Sequence, residues 1–480
     1  MSYSNFTVQN ASTIDDNRQL FEYTSGRWIY NEKMRLSERH GVFNVDALKS
    51  AAAQSIQRCD ADIKYLSKLA EGRFNRVLQL TMVDDTQLLA RLPYPSTRPK
   101  TLAVASEVAT LAFLRAHGLP VPRVHAYSTD AKNPVGSEYI IMEKLSGQPL
   151  GDRWFDLSDK QRLKVLLQLV QLEAKLHTIE LPASGSIYYS KDLPSDLPRI
   201  VIIKLGLSID RGPNTDAIDA LCKPALKELT WLRTYGRPRF PFQRAYRESM
   251  EYQLSLPDVH MRSLEAYLKI APNLLTSVLP LFLAAGIPKF FQNYDNPELL
   301  AFRPPPYPDL DGMDEEEKAG ALDDSRHRHT HFFYLAFTQR FNEPHFRTMD
   351  QPTNMLTRRI FSHAGEPWEG NNIPLQADLV LITKLWHEFS PSPCPISFTS
   401  AEANSIMRLQ DMQEEVDLDL KRVRNAIGIS VNGWTPTDKY EDACSRARQM
   451  KVRGLAFLDT EYEREMTARH WPFDDQDEDE

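Results

Sequence analysis

A chain of 480 residues exceeds the size at which one core usually stops growing, so two lobes or domains are expected. Hydrophobic residues make up 42% and charged residues 25%, which supplies ample material for a large folded core. The net charge of −8, with no clustered basic stripe, excludes a phosphate-backbone binder, and no nucleic-acid partner is expected.

In chain order, residues 1–60 read as a mixed extension with an amphipathic helix over 45–58. The start of the chain has a single arginine, two aspartates and no apolar run, so neither a secretory signal nor an Arg-rich presequence is expected there. The aromatic-rich stretch FEYTSGRW (21–28) is expected to pack on a neighbouring surface. Strands follow over 63–69, 74–83 and 88–92, separated by turns at 70–73 and 84–86. From 100 to 116, Leu102, Val108, Leu111 and Leu114 recur at near-helical spacing, and His117-Gly118 closes that helix. Two more short strands read over 124–127 and 138–142.

The remainder is mostly helical. Helices are expected over 158–178, over 250–278 with a break near Pro257, and over 314–342. Arg303 opens a proline-rich extended loop. Thr399 and Glu402 have the spacing of a capping box for a helix running towards Arg424, and a last helix spans 438–468. Residues 471–480 read as an acidic, disordered tail. The four cysteines, Cys59, Cys222, Cys394 and Cys444, have no CxxC spacing and read as buried free thiols. Residues 270–288 carry no charge over a near-spanning length, but Pro272, Pro280 and Pro288 favour buried core over a membrane span.

Three strands, a helix and two strands is the order of a kinase small lobe. EGRFNRVLQL (71–80) resembles the nucleotide-covering hairpin of the aminoglycoside phosphotransferases, and LLARLPYP (88–95) resembles the third strand with its phosphate-binding cation. ASEVATLAFLR (105–115) resembles the helix whose acidic residue pairs with that cation, and GSEYIIMEKLSG (136–147) the hinge. Together with YTSGRW, GSIYY (185–189), RGP (211–213), YLKIAP (267–272), PLFLAAGIPKFFQN (280–293) and WPFDD (471–475), these motifs resemble the altered inheritance of mitochondria 9 family along nearly the whole chain. Those are fungal, mitochondria-associated proteins related to aminoglycoside phosphotransferases.

The resemblance implies an α+β, two-lobe kinase-like fold: a small lobe over 61–145 and a helical large lobe over 146–470. It implies ATP and Mg2+, and a nucleotide pocket formed by Gly72, Asn75, Arg91, Glu107, Met142, Glu143 and Leu145. The acceptor would be a small molecule or a protein. Mitochondria would be the location, with the cytoplasm as the alternative.

One part of the family pattern is absent. Phosphoryl transfer requires an aspartate to orient the acceptor hydroxyl, and an Asn and second Asp to hold the metal. In the family these lie in a segment resembling H-P-D-L-H-x-x-N followed by I-I-D-W, between YLKIAP and PLF. Here the two flanks meet near 273–281, and no carboxylate lies between Pro272 and Pro280. His260 lacks the partner Asp, the Asp309–Asp311 loop lacks a preceding histidine motif, and His327, His329 and His331 read as a solvated helix face. No catalytic and no metal-ligating residue is therefore assigned. An abrupt loss between intact flanks points to a deletion, a splice form or an error in the coding sequence. The expected protein is an inactive phosphotransferase relative, a pseudokinase or partner-binding protein, or an incomplete product destabilised by a void.

Overall fold

The computed structural model describes residues 17–193, 213–275, 283–293, 302–351 and 353–477. Its strands are β1 (Gly26–Trp28), β2 (Ile63–Glu71), β3 (Asn75–Met82), β4 (Gln87–Pro93), β5 (Val124–Ser128), β6 (Tyr139–Glu143) and β7 (Trp434–Pro436). Five of them form an antiparallel sheet in the order β2-β3-β4-β6-β5. Alternation decides its faces: Leu78 and Leu80 of β3 and Leu88, Ala90 and Leu92 of β4 are buried on one side. Helix α1 (Glu32–Arg39) leads to α2 (Val45–Ser55), whose Leu48 and Ala52 join that same cluster with Leu20 and Phe43. Each fully buried leucine contributes roughly 2 kcal/mol. The residues expected as an extension thus supply five of the twelve described buried residues of this cluster: Leu20, Phe43, Val45, Leu48 and Ala52.

On the other face, α3 (Lys100–Ala116) lays Val104 and Val108 on Ile140 and Met142. It ends as expected at Gly118, whose φ of +70° only glycine adopts without strain.

The large region is helical: α4 (Asp159–His177), α5 (Ala217–Tyr235), α6 (Pro257–Ile270), α7 (Glu315–Phe341), α8 (Glu343–Asp350), α9 (Asn354–Gly365), α10 (Ile373–Lys384), α11 (Ser400–Ile427), α12 (Tyr440–Ala456) and α13 (Glu461–Arg469). Leu229, Leu264, Tyr267, Ile360 and Leu379 form its main core between α5, α6, α9 and α10. Trp154, Val170, Phe291 and Tyr334 form a second core between α4 and α7. The fold is α+β, with a small sheet lobe and a large helical lobe. Thr399 and Glu402 close the expected capping box at the head of α11.

Several expectations are corrected. The helix expected from 250 begins only at Pro257, which sits at its first turn where a missing N–H costs nothing. The last helix is two, because Thr460 caps a new helix with Glu463 as its box partner. The tail is docked at its start: Phe473 is buried with Tyr30 and Ile427, and the Asp475 carboxylate accepts from the Asn31 amide at 2.5 Å. Cys59 is exposed rather than buried. Ile270, Ala271 and Leu274 are buried in the main helical core, as expected of the uncharged run; its centre, like RGP's first two residues, lies outside the described residues. No described helix is long and apolar enough to cross a membrane.

A small sheet joins the two ends of the chain. β1 pairs antiparallel with β7, with Gly26 opposite Pro436 and Trp28 opposite Trp434. A Cβ on Gly26 would lie 2.2 Å from Trp434 Nε1 and 2.5 Å from the Thr435 carbonyl. Gly26→Ala is expected to destabilise the protein by about 2 kcal/mol through overpacking, read from the urea midpoint. An unchanged midpoint would show that the strand pair is not held this closely.

Candidate nucleotide-binding site

The site is assembled from the face of the sheet that carries α3. Strand alternation puts Val77 and Gln79 of β3 opposite Arg91 and Leu89 of β4, all on that face. Arg91 forms an ion pair with Glu107 of α3. With its amide oxygen turned towards it, Asn75 accepts from Arg91 Nη2 at 2.8 Å and from Nε at 3.3 Å. Burial raises the Glu107 carboxyl above its ordinary range, and the Arg91 charge opposes that rise. The result is a cation held between an acid and an amide, with a fork able to grip a phosphate oxygen pair.

Gly72 lies in the turn joining β2 and β3, where its amide donates to the Asn75 carbonyl at 2.8 Å. Three of the expected residues, Asn75, Arg91 and Glu107, therefore converge, with Gly72 at the adjoining turn. The hinge residues divide. Met142 is 7% exposed and packs under α3 with Val104 and Val108, so it forms wall rather than contact surface. The Glu143 carboxylate turns to the sheet edge, accepting from the Arg123 amide at 3.0 Å and lying 3.6 Å from Arg115. Leu145 is exposed, and its backbone amide has no hydrogen-bond partner among the described residues.

Sequence reading missed two parts of this site. Lys144 reaches back under the sheet and donates to Gln79 Oε1 and Gln87 Oε1, each at 2.8 Å. The signal was present, since Gln79, Thr81 and Gln87 put polar residues at alternate positions on the Arg91 face. The second part is a clasp on the hairpin. The Glu71 side chain, 1% exposed, accepts from the Thr24 amide at 2.9 Å, the Ser25 amide at 2.8 Å, the Ser25 hydroxyl at 2.7 Å and Lys68 at 2.7 Å. Burial pushes this carboxyl up, but the bonds from Lys68 and Ser25 prevail and hold it below its ordinary value. The Thr24 carbonyl in turn accepts from the Thr437 hydroxyl at 2.9 Å. The turn next to Gly72 is thus tied to both ends of the chain.

The residues weighed as substitutes for the absent loop are structural. His260 is buried, bonded to Asn372 at 2.7 Å and stacked on Trp368. Asp309 caps its own turn by accepting from the Asp311 amide. The histidines of α7 do not form a solvated face: His331 is 1% exposed and accepts from the Asn293 amide at 2.6 Å, while His329 stacks on Tyr307. Their side chains go to separate neighbours, and among the described residues no three His, Cys, Asp or Glu side chains converge on a metal position.

The strand order, the helix after the third strand and the Arg–Glu pair define a kinase-like phosphotransferase fold. Residues 66–266 match the model of the APH phosphotransferase enzyme family. A subtelomeric hrmA-associated cluster protein of Aspergillus fumigatus is 28% identical over 500 aligned residues, covering 86% of this chain and 97% of that protein. The altered inheritance of mitochondria protein 9 of Candida tropicalis is 29% identical over 233 residues, covering 40% of this chain and 38% of that protein. That of Candida albicans is 27% identical over 224 residues, covering 39% of this chain and 36% of that protein. The resemblance to that family stands, but these matches span far less of the chain than the motifs implied. Among solved structures, the gentamicin complex of APH(2″)-IIa aligns over 78% of this chain and 98% of that one, at 12% identity and a TM-score of 0.30. ADP-bound APH(2″)-Ib aligns over 74% and 95%, at 11% identity and a TM-score of 0.29.

Proposed function

We propose that this chain binds a nucleotide in the phosphotransferase manner and does not transfer its phosphate. The observation that carries the reading is the Asn75–Arg91–Glu107 constellation beside the Gly72 turn. Arg91 would hold phosphate oxygens, the Gly72 turn would cover them, and the unpartnered Leu145 amide would meet the base. Met142 and Leu89 would wall the pocket. The nucleotide would supply a phosphoryl group that this chain has no assigned residue to deliver.

A magnesium ion does not fit the donor set in the same way. The expected ligands would come from the stretch before PLF, and the sequence has no carboxylate between Pro272 and Pro280. The comparison with the Aspergillus protein is in keeping with a lost segment. Eighty-six per cent of 480 residues cannot fill 500 aligned positions, so that relative carries residues opposite gaps in this chain. The lobes divide near residue 145, with the acceptor side, for a small molecule or a protein partner, in the helical lobe. The location is the mitochondrion, on the strength of relatives that bear that name; fractionation of cells expressing the intact gene tests it, and a cytoplasmic pool alone would overturn it.

Calorimetric titration of the full chain with ADP and ATP, in Mg2+ and in EDTA, tests the reading. Binding is expected in both buffers without turnover. Arg91→Ala is expected to weaken it about tenfold, the loss of one charge-assisted bond to phosphate. Failure to bind in either buffer overturns the nucleotide half, and sustained Mg2+-dependent turnover overturns the inactive half. Sequencing the transcript across codons 275–282 separates a true deletion from an error in the coding sequence.

A further inference from the structure

A cavity of about 440 Å³ lies away from that constellation, between α3, β5 and the stretch at 189–191. None of Gly72, Asn75, Arg91 or Glu107 lines it. Its apolar wall comes from Val108, Leu111 and Ala112 of α3 and from Pro122 and Val124. These positions follow from the helix: 108, 111, 112 and 115 fall on one face, so the apolar wall ends at Arg115.

The charge on this wall has one sign. Arg115, Arg123 and Lys191 line the cavity, and among the described residues no carboxylate does. On a chain of net charge −8, that makes it a basic concavity on an acidic molecule. The neighbouring acids are already engaged. Glu143 accepts from the Arg123 amide and lies 3.6 Å from Arg115, and Asp192 accepts from the Tyr127 hydroxyl at 2.7 Å. Arg115 donates to the Val121 carbonyl at 2.9 Å, which fixes its head. The Lys191 ammonium lies over the rings of Tyr127 and Tyr189, 5.0 and 5.6 Å from their centroids. The Arg123 guanidinium has no ion-pair partner among the described residues. His125 stands in the same wall, and burial together with Arg123 and Arg115 lowers its affinity for a proton, so it adds no further charge at neutral pH.

We propose that this cavity binds a small amphipathic anion: an aromatic or branched apolar body bearing a carboxylate or phosphate. The apolar floor takes the body, Arg123 and Lys191 take the charge, and Tyr189 covers the mouth. The volume lies in the range of small-molecule sites, which pair an apolar lining with a few placed polar groups. This inference does not depend on the nucleotide reading.

The test is calorimetric titration of the full chain, in EDTA and without nucleotide, using phenyl phosphate and benzoate as probes. Inorganic phosphate and phenol serve as the charge-only and ring-only comparisons. At least one of the two probes is expected to bind saturably at one site, about tenfold or more tighter than either comparison. The Arg123→Gln/Lys191→Gln double variant is expected to lose about tenfold, and Ala112→Phe, which fills the floor and leaves the charges, to abolish binding. Arg91→Gln is expected to bind as the parent does. Absence of saturable binding at millimolar concentrations overturns the proposal. So does parental affinity in both cavity variants, or loss of binding in Arg91→Gln, which would place the probe at the nucleotide constellation.

Discussion

Replacing Arg76 by methionine is expected to remove about 4 kcal/mol of stability, a large share of the roughly 5–15 kcal/mol typical of a folded protein. Arg76 of β3 is 2% exposed and donates to four main-chain carbonyls of the N-terminal segment. Its Nη1 reaches Leu20 at 2.5 Å and Gly41 at 3.0 Å, and its Nη2 reaches Phe21 at 2.7 Å and Arg39 at 2.8 Å. Methionine fills similar space but leaves those acceptors buried and unpaired, each at a cost of about 1–3 kcal/mol before relaxation and water entry soften the sum. Arg76→Lys keeps the charge but not the planar fork, so it is expected to recover about half of the loss. Urea unfolding gives the magnitude. Limited proteolysis between residues 20 and 44 gives the location, since the unclasped segment becomes the first cleaved. A loss under about 1 kcal/mol would mean that the segment is held mainly by Phe43, Val45 and Leu48.

The second large effect is acid lability. His345 is 3% exposed; burial chiefly, with the neighbouring His177 and Arg358 charges adding to it, drops its pKa to about 4 from an ordinary 6.5. Its Nε2 accepts from the Gly286 amide at 3.0 Å, which requires the neutral ring, and His177 stands edge-on 5.0 Å away. The folded state therefore resists a proton that the unfolded chain accepts. This contribution is complete above pH 6.5, is lost as pH falls from 6.5 to about 4, and is constant below that. At about 1.4 kcal/mol per pH unit it amounts to roughly 3 kcal/mol. His331 and His260 are buried with lowered pKa values too, and act in the same direction. His345→Gln keeps an acceptor for Gly286 without titrating, so its stability at pH 4.5 relative to pH 7.5 is expected to fall by about 3 kcal/mol less than the parent's. Equal pH dependence in the two proteins would remove His345 from the account.

Local pattern carried much of the fold. The strands expected over 74–83 and 88–92 fall within one residue of β3 and β4 at each end. The near-helical spacing of 100–116, with Gly118 after it, located α3 to the residue. Arg91 and Glu107 form the ion pair that the resemblance of their two motifs to a kinase small lobe implies. What stayed hidden depends on partners distant in the chain. Gly26 and Trp28 look like one aromatic cluster among others until β7 is set beside them. The WPFDD tail reads as solvated acid, yet Lys451 pairs with Asp474, and the Asn31 amide donates to Asp475. At the hinge, a sequence motif names Glu143 but cannot show that its carboxylate turns to the sheet edge while Lys144 turns inward.

The pairing of β1 with β7 also bears on how the chain reaches this state. The hairpin that flanks Gly72 is held through Glu71 to Thr24 and Ser25, and Thr24 is held to Thr437 across 413 positions. Contacts of such long sequence separation are slow to form, because the loop entropy must be overcome before they contribute. During synthesis the five-stranded sheet can therefore assemble long before its clasp closes. The last strand, with Thr437 after it, must first leave the ribosome. Until then β1 presents an unpaired edge, the kind of exposed surface that invites association with other chains. Completion of the N-terminal lobe is in this sense set by the arrival of β7.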